Sequence, residues 1–147
     1  VAKPLLDQVG CMYSPYVLSV QSNQKIRIRN SDSTLHNVHS FPKPKSGNRG
    51  FNFAQVIKGK VNEKSFRKAE MFIRIKCDVH PWMIAYVSVF DHPYHAVTKE
   101  DGTYTLKDVP PGKYTLVAEH RKGKEVVKKQ IEVKGGDVVV DLAVAVK

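Results

Sequence analysis

The chain has 147 residues, with 24 Lys and Arg against 14 Asp and Glu and a formal net charge of +10. That length suits one large domain or two small ones, each able to bury a core. No stretch approaches the roughly 20 apolar residues of a membrane-spanning helix. The charge is unevenly placed: residues 1–90 carry 14 basic and 5 acidic side chains, residues 91–147 carry 10 and 9, and the basic density peaks between Lys43 and Lys68. Such an excess either solubilises a surface or steers the chain toward an acidic macromolecular partner. Without a base-stacking motif or a helix-rich reading head, it argues against nucleic acid as that partner. Two cysteines are too few for a disulfide framework, which makes a cysteine-based metal site the first question. The start at Val1-Ala2, without an initiator Met, is expected where a signal peptide or an expression tag has been removed.

In chain order the elements read as β-structure. Residues 16–20 alternate weakly, and Lys25-Ile26-Arg27-Ile28-Arg29 alternates strictly, as a half-buried strand does. Asn30-Ser31-Asp32-Ser33 is turn chemistry. Residues 35–41 read as extended, and residues 42–50, with Pro, Gly and basic side chains, as an exposed loop. A helical pattern over residues 61–70 has little periodic support. Met71, Ile73 and Ile75 share one face of the next strand, and residues 84–90 form an apolar, β-prone central strand. After Asp91 the texture changes. Asp101-Gly102 and Pro110-Pro111-Gly112 punctuate strands at residues 103–106 and 113–118, and Gly123 precedes another at 125–133. Gly135-Gly136 introduces a last strand in which Val138, Val140, Leu142, Val144 and Val146 fall on one face.

The segment Cys77-Asp78-Val79-His80-Pro81-Trp82-Met83 places thiol, imidazole and thioether within seven residues. Soft sulfur ligands combined with imidazole suit copper, and one Cys with two His and a distant Met is the trigonal blue-copper set. A second imidazole must come from elsewhere, and Leu35-His36-Asn37-Val38-His39 offers two. In an extended segment His36 and His39 point to opposite faces, so only one of them reaches a common metal. Taken alone, Cys77 and His80 would equally be half of a zinc site, or a buried thiol beside a structural histidine.

With both segments together the chain resembles the cupredoxins, in which a His followed by Asn is completed by Cys-x-x-His and a Met on the last loop before the final strand. The short His80–Met83 spacing, Pro81 after the ligand and the His-Asn-Val-His run are most similar to the amicyanin branch. The resemblance covers roughly residues 9–90. It implies a Greek-key cupredoxin β-sandwich with one type 1 copper held by His36, Cys77, His80 and Met83, and one-electron transfer with no enzymatic activity. It gives Asn37 a role in hydrogen-bonding the ligand loops and holding the Cys77 sulfur. It also implies a periplasmic or otherwise extracytoplasmic location. The partner would be an acidic redox protein, a cytochrome or an oxidoreductase complex.

Residues 99–106 and 109–116, Lys-Glu-Asp-Gly-Thr-Tyr-Thr-Leu and Val-Pro-Pro-Gly-Lys-Tyr-Thr-Leu, resemble the carboxypeptidase regulatory-like, transthyretin-like β-sandwich module. The expected organisation is therefore all-β: a copper domain at 1–90 and a small module at 91–147 packed on it, shorter than usual and able to borrow strands from its neighbour. Nothing in the module proposes catalysis.

The alternative function is a non-redox copper-binding or structural, adhesive subunit on the same fold. A multicopper enzyme would need a second ligand set, and none is found. His92 and His95 read as packing or hydrogen-bonding residues, and Trp82 as either core or part of an apolar rim around His80. Cys11 leaves three readings open: an inert thiol, an extra ligand, or a disulfide with Cys77 that would remove the thiolate ligand.

Overall fold

A computed structural model describes residues 3–147; Val1 and Ala2 lie outside the described residues. The strands are β1 (Leu5–Val9), β2 (Met12–Ser14), β3 (Val17–Gln21), β4 (Ile26–Asn30), β5 (His36–Phe41) and β6 (Asn52–Gln55). They continue with β7 (Val61–Lys64), β8 (Glu70–Lys76), β9 (Ile84–Phe90), β10 (Gly112–Ala118) and β11 (Val127–Val133). No helix occurs among the described residues, so the fold is all-β. Two compact units divide the chain, Val1–Thr105 and Leu106–Lys147.

The first unit contains a four-stranded sheet in the order β2-β1-β4-β7 and a five-stranded sheet in the order β3-β9-β8-β5-β6. The pairs β1/β4 and β3/β9 are parallel, and all other neighbours are antiparallel. Alternation explains why these segments pair as they do. In β4 the apolar Ile26 and Ile28 are buried while Arg27 and Arg29 lie toward the surface. His36, Val38 and Ser40 of β5 turn inward in the same way. Leu6, Val20, Ile26, Ile28, Val38, Phe66, Ile73, Ile75, Val87 and Val89 build the core, which continues into Tyr13, Cys77, Met83 and Ala85. The end of the unit that carries Cys77 and Met83 is thus anchored in the same close-packed interior as its strands.

A buried amide cluster ties the two sheets together. Gln8 Nε2 donates to Gln55 Oε1 at 2.7 Å, Gln55 Nε2 donates to the Ile28 carbonyl at 2.9 Å, and Asn30 Nδ2 donates to the Gln55 carbonyl at 2.9 Å. Gln55 is paired with His36 across β5 and β6, so this network fixes the strand from which the first imidazole emerges.

Residues 61–70 are not helical. Residues 61–64 form the edge strand β7 against β4, and the chain then turns through the buried Phe66 into β8. The pairing of β8 with β9 shifts register between Glu70 and Ile73, where Phe72 adopts a φ of 53°. That bulge places buried Glu70 to accept from the backbone N–H of Lys43 at 2.9 Å and so clasps the basic loop.

The second unit contains one antiparallel sheet, β10 with β11, in register from Gly112↔Val133 to Ala118↔Val127. The expected strands at 103–106 and 137–146 do not form ladders; outside the hairpin, Gly123 and Val146 make a single isolated bridge. Alternation marks which face of a segment could be buried, but a strand also needs a hydrogen-bonded neighbour along its length.

Candidate metal centre

The site is assembled from the start of β5 and the loop between β8 and β9. His36, the first residue of β5, is fully buried and presents Nδ1 to the loop. The loop closes on itself: Met83 N donates to the His80 carbonyl at 2.9 Å and Cys77 N donates to the Met83 carbonyl at 3.2 Å. This tight turn, with Pro81 inside it, brings Cys77 and His80 to the same point. His36 Nδ1 lies 3.2 Å from His80 Nδ1, and the Cys77 sulfur lies 4.0 Å from His36 Nδ1 and 3.6 Å from His80 Nδ1.

That triangle has the size a metal requires. An ion about 2.0 Å from each imidazole nitrogen and about 2.3 Å from a thiolate, at the centre of a trigonal plane, sets edges of about 3.5 Å and about 3.7 Å. The three side chains therefore fit one ion with only small adjustments. Met83 is fully buried and belongs to the same apolar cluster as Cys77.

Asn37 organises the loop from the opposite face of β5. Its Oδ1 accepts from the backbone N–H of Asp78 at 2.6 Å and from the Cys77 thiol at 3.4 Å, and its Nδ2 donates to Asp78 Oδ2 at 2.8 Å. His39 sits on that outer face too, with Nδ1 3.1 Å from Asp78 Oδ2 and its ring against Phe41. The Asn37 hydrogen bond, and then the His39 contact, hold the Asp78 carboxyl below the usual carboxylate range despite the opposing effect of desolvation.

Of three features beside the triangle, Asp32 and Tyr13 carried no signal in the sequence, and Trp82 was legible as either core or rim. Asp32, in a segment legible only as a turn, receives His36 Nε2 at 2.8 Å. Burial alone would raise its pKa, but the N–H groups of Cys11 and Gly10 and the His36 bond outweigh it and lower the value. Tyr13 is buried and donates its phenol to the Asn37 carbonyl at 3.3 Å; burial, then the neighbouring Cys77 and Asp78, push its pKa upward. Trp82 is 59% exposed, with its ring 5.2 Å from that of His80, so it belongs to the rim rather than the core.

Cys11 and Cys77 are both free thiols. Cys11, Asp32 and His36 also place one ligand-type atom each within 4.8 Å of the others. His92 and His95 do not join the triangle: His95 Nδ1 meets Ser19 Oγ at 2.9 Å while its ring stacks on Phe90, and His92 Nδ1 accepts the Tyr94 N–H.

Two layers of antiparallel and parallel strands, closed at one end by a His from β5 and a Cys–His–Met loop before β9, define the first unit. It is a cupredoxin fold. Among solved structures, a copper-containing nitrite reductase from Thermus scotoductus SA-01 aligns with a TM-score of 0.54 at 18% identity, over 60% of this chain and 22% of that one. An amicyanin variant in the Cu(I) form aligns at 0.52 and 22% identity, over 61% of this chain and 86% of amicyanin. Another reduced amicyanin variant aligns at 0.53 and 24%, with the same coverage. The cupredoxin match thus spans less than a quarter of the nitrite reductase but most of amicyanin. Residues 81–147 match the model of the carboxypeptidase regulatory-like domain. That match begins in the ligand loop and includes β9, a strand hydrogen-bonded into the cupredoxin sheet between β3 and β8. No curated protein matches the chain.

Proposed function

We propose that this cupredoxin holds one type 1 copper through His36, Cys77, His80 and Met83 and transfers single electrons between redox proteins, with no enzymatic reaction of its own. The observation that carries the reading is the triangle of His36 Nδ1, His80 Nδ1 and Cys77 Sγ, with edges of 3.2–4.0 Å. Copper, when bound, supplies one-electron chemistry by cycling between two oxidation states. The soft donor set favours it over harder divalent ions.

The chain's own residues supply rigidity and access. Cys77, His36 and Met83 are buried, which excludes water from the donors, and Asn37 tethers the Asp78 backbone next to the thiol. A donor set held in place by the fold needs little rearrangement when charge changes at its centre. His80 alone of the four is not fully buried, so its imidazole edge is the one a partner can approach. Around it Val79 and Trp82 are exposed, while Lys58, Lys60 and Lys68 lie on the surface of the same unit. An apolar contact near His80 with basic residues beyond it suits a negatively charged redox protein, by long-range attraction followed by close packing. An exported, extracytoplasmic setting accords with this reading.

Potentiometric titration of the copper-loaded protein tests it. A reversible single-electron wave with one copper per chain is expected. A protein that binds copper without a reversible couple would instead be a carrier or structural subunit.

A further inference from the structure

The hairpin between β1 and β2 closes on Gly10 and Cys11, with φ of 60° and 56°, while Val9 pairs with Met12. Two successive left-handed residues make the two-residue turn that suits a twisted hairpin. Glycine accepts that conformation freely, whereas cysteine adopts it only under strain, so something must hold the turn in place. The holding groups are on both sides of it. The N–H groups of Gly10 and Cys11 donate to Asp32 Oδ1 at 2.8 Å and Oδ2 at 2.9 Å. Asp32 Oδ2 also meets His36 Nε2 at 2.8 Å. The carbonyl of Cys11 accepts from Trp82 Nε1 at 2.9 Å, and the Trp82 ring lies against His80.

These contacts form a continuous path from one imidazole to the other, outside the metal triangle. Both Asp32 oxygens accept backbone N–H groups, so the proton shared with His36 resides on Nε2 and the lone pair is left on Nδ1. The same geometry argues against a second ion among Cys11, Asp32 and His36. Such an ion would displace the His36 bond and compete with both backbone donors for the carboxylate.

We propose that the Gly10–Cys11 turn is a brace that sets the direction of both imidazoles before any metal binds, with Asp32 and Trp82 as its positioning residues. The consequence for copper rests on the function proposed above; the brace itself does not.

The test therefore begins with the metal-free protein. Nitrogen-15 NMR should show neutral His36 as a single tautomer protonated at Nε2, and a Trp82 indole N–H that exchanges with solvent at least tenfold more slowly than a free indole. Asp32→Ala should mix the tautomers. Trp82→Phe, which keeps a ring beside His80 but loses the Cys11 bond, should broaden or shift the His80 ring signals while leaving the His36 tautomer intact. In the copper-loaded protein, both variants should shift the thiolate absorption band or the midpoint potential. A freely exchanging indole, or an Asp32→Ala protein with an unchanged His36 tautomer, would overturn the brace even if copper binds normally. The expected metal-free signals with no coloured copper complex would sustain the brace and sink the copper reading.

Discussion

Among the described residues every fully buried side chain lies between Leu6 and Val89, whereas residues 106–147 hold one hairpin in which Tyr114, Leu116, Ile131 and Val133 are only half covered. Both regions show alternating apolar residues. In the first, two sheets place their apolar faces on a common interior, and the amide cluster of Gln8, Asn30 and Gln55 locks the sheets in register. In the second, the apolar face belongs to two strands, and a two-stranded sheet alone gives little independent stability. Alternation by itself therefore does not measure burial. What distinguishes the regions is that the first packs two sheets on a common buried interior, and the metal triangle stands in that region.

The largest contrast should come from core truncation. Trp82, the chain's single tryptophan, reports on the first unit. Ile75→Ala should lower the stability of the metal-free protein by about 2–5 kcal/mol, read from its fluorescence in a denaturant titration. Leu116→Ala should move the same transition by no more than about 0.5 kcal/mol. Equal losses would show that the hairpin is coupled to the core and that the contrast is false.

A second contrast lies within β5. His36→Ala should abolish the Cu(II)–thiolate band, and His39→Ala should leave most of it, because His39 lies on the outer face beside Asp78. Bleaching by His39→Ala alone would mean that the register of β5 is wrong.

Acid should weaken the first unit next. Burial alone would raise the Asp7 pKa, but the Arg29 side chain at 2.6 Å, then the Ser31 hydroxyl, outweigh it and lower the value. A carboxylate depressed in the folded state stabilises fully above its unfolded pKa, and that stability is lost as pH falls through the folded one. Fluorescence-detected stability should accordingly fall as pH drops below about 4. Asp7→Asn should flatten part of that slope, and an unchanged slope would remove Asp7 from the account.

The smallest expected effect concerns the surface charge. Reversing Lys58, Lys60 and Lys68 should slow electron exchange with an anionic one-electron partner at low salt, more than reversing Lys122, Lys124 and Lys128. Both differences should fade as salt shortens the screening length toward about 8 Å. Lys64 is left out of the set because its ammonium lies over the rings of Phe51 and Phe53, so its loss would also disturb packing. Equal effects from the two clusters would leave these lysines as solubilising groups.

Much of the first unit was legible because its strands obey simple patterns. Ile26 and Ile28 alternate with arginines, and residues 84–90 form a short apolar run. The segments that escaped detection break those patterns for physical reasons. β1 buries Asp7 and Gln8, whose polarity hides a strand satisfied by Arg29 and Gln55. β2 has three residues, and β7 is a polar edge strand. In the opposite direction, Val138 to Val146 alternate well without forming a ladder. Cys77, His80 and Met83 stood out by spacing and residue type, and His36 as one of two candidate imidazoles, while the set of four proposed donors came from the resemblance to cupredoxins. Asp32 was not legible, since its place four residues before His36 gains meaning only when the turn delivers its carboxylate to Nε2.

The central claim is that Cys77, His36 and His80 form one thiolate-containing copper site. Visible absorption during titration of the metal-free protein with Cu(II) tests it most directly. An intense band should grow to saturation at one equivalent, vanish on reduction, and fail to form in Cys77→Ser. A colourless Cu(II) complex, or a band that survives Cys77→Ser, would contradict it.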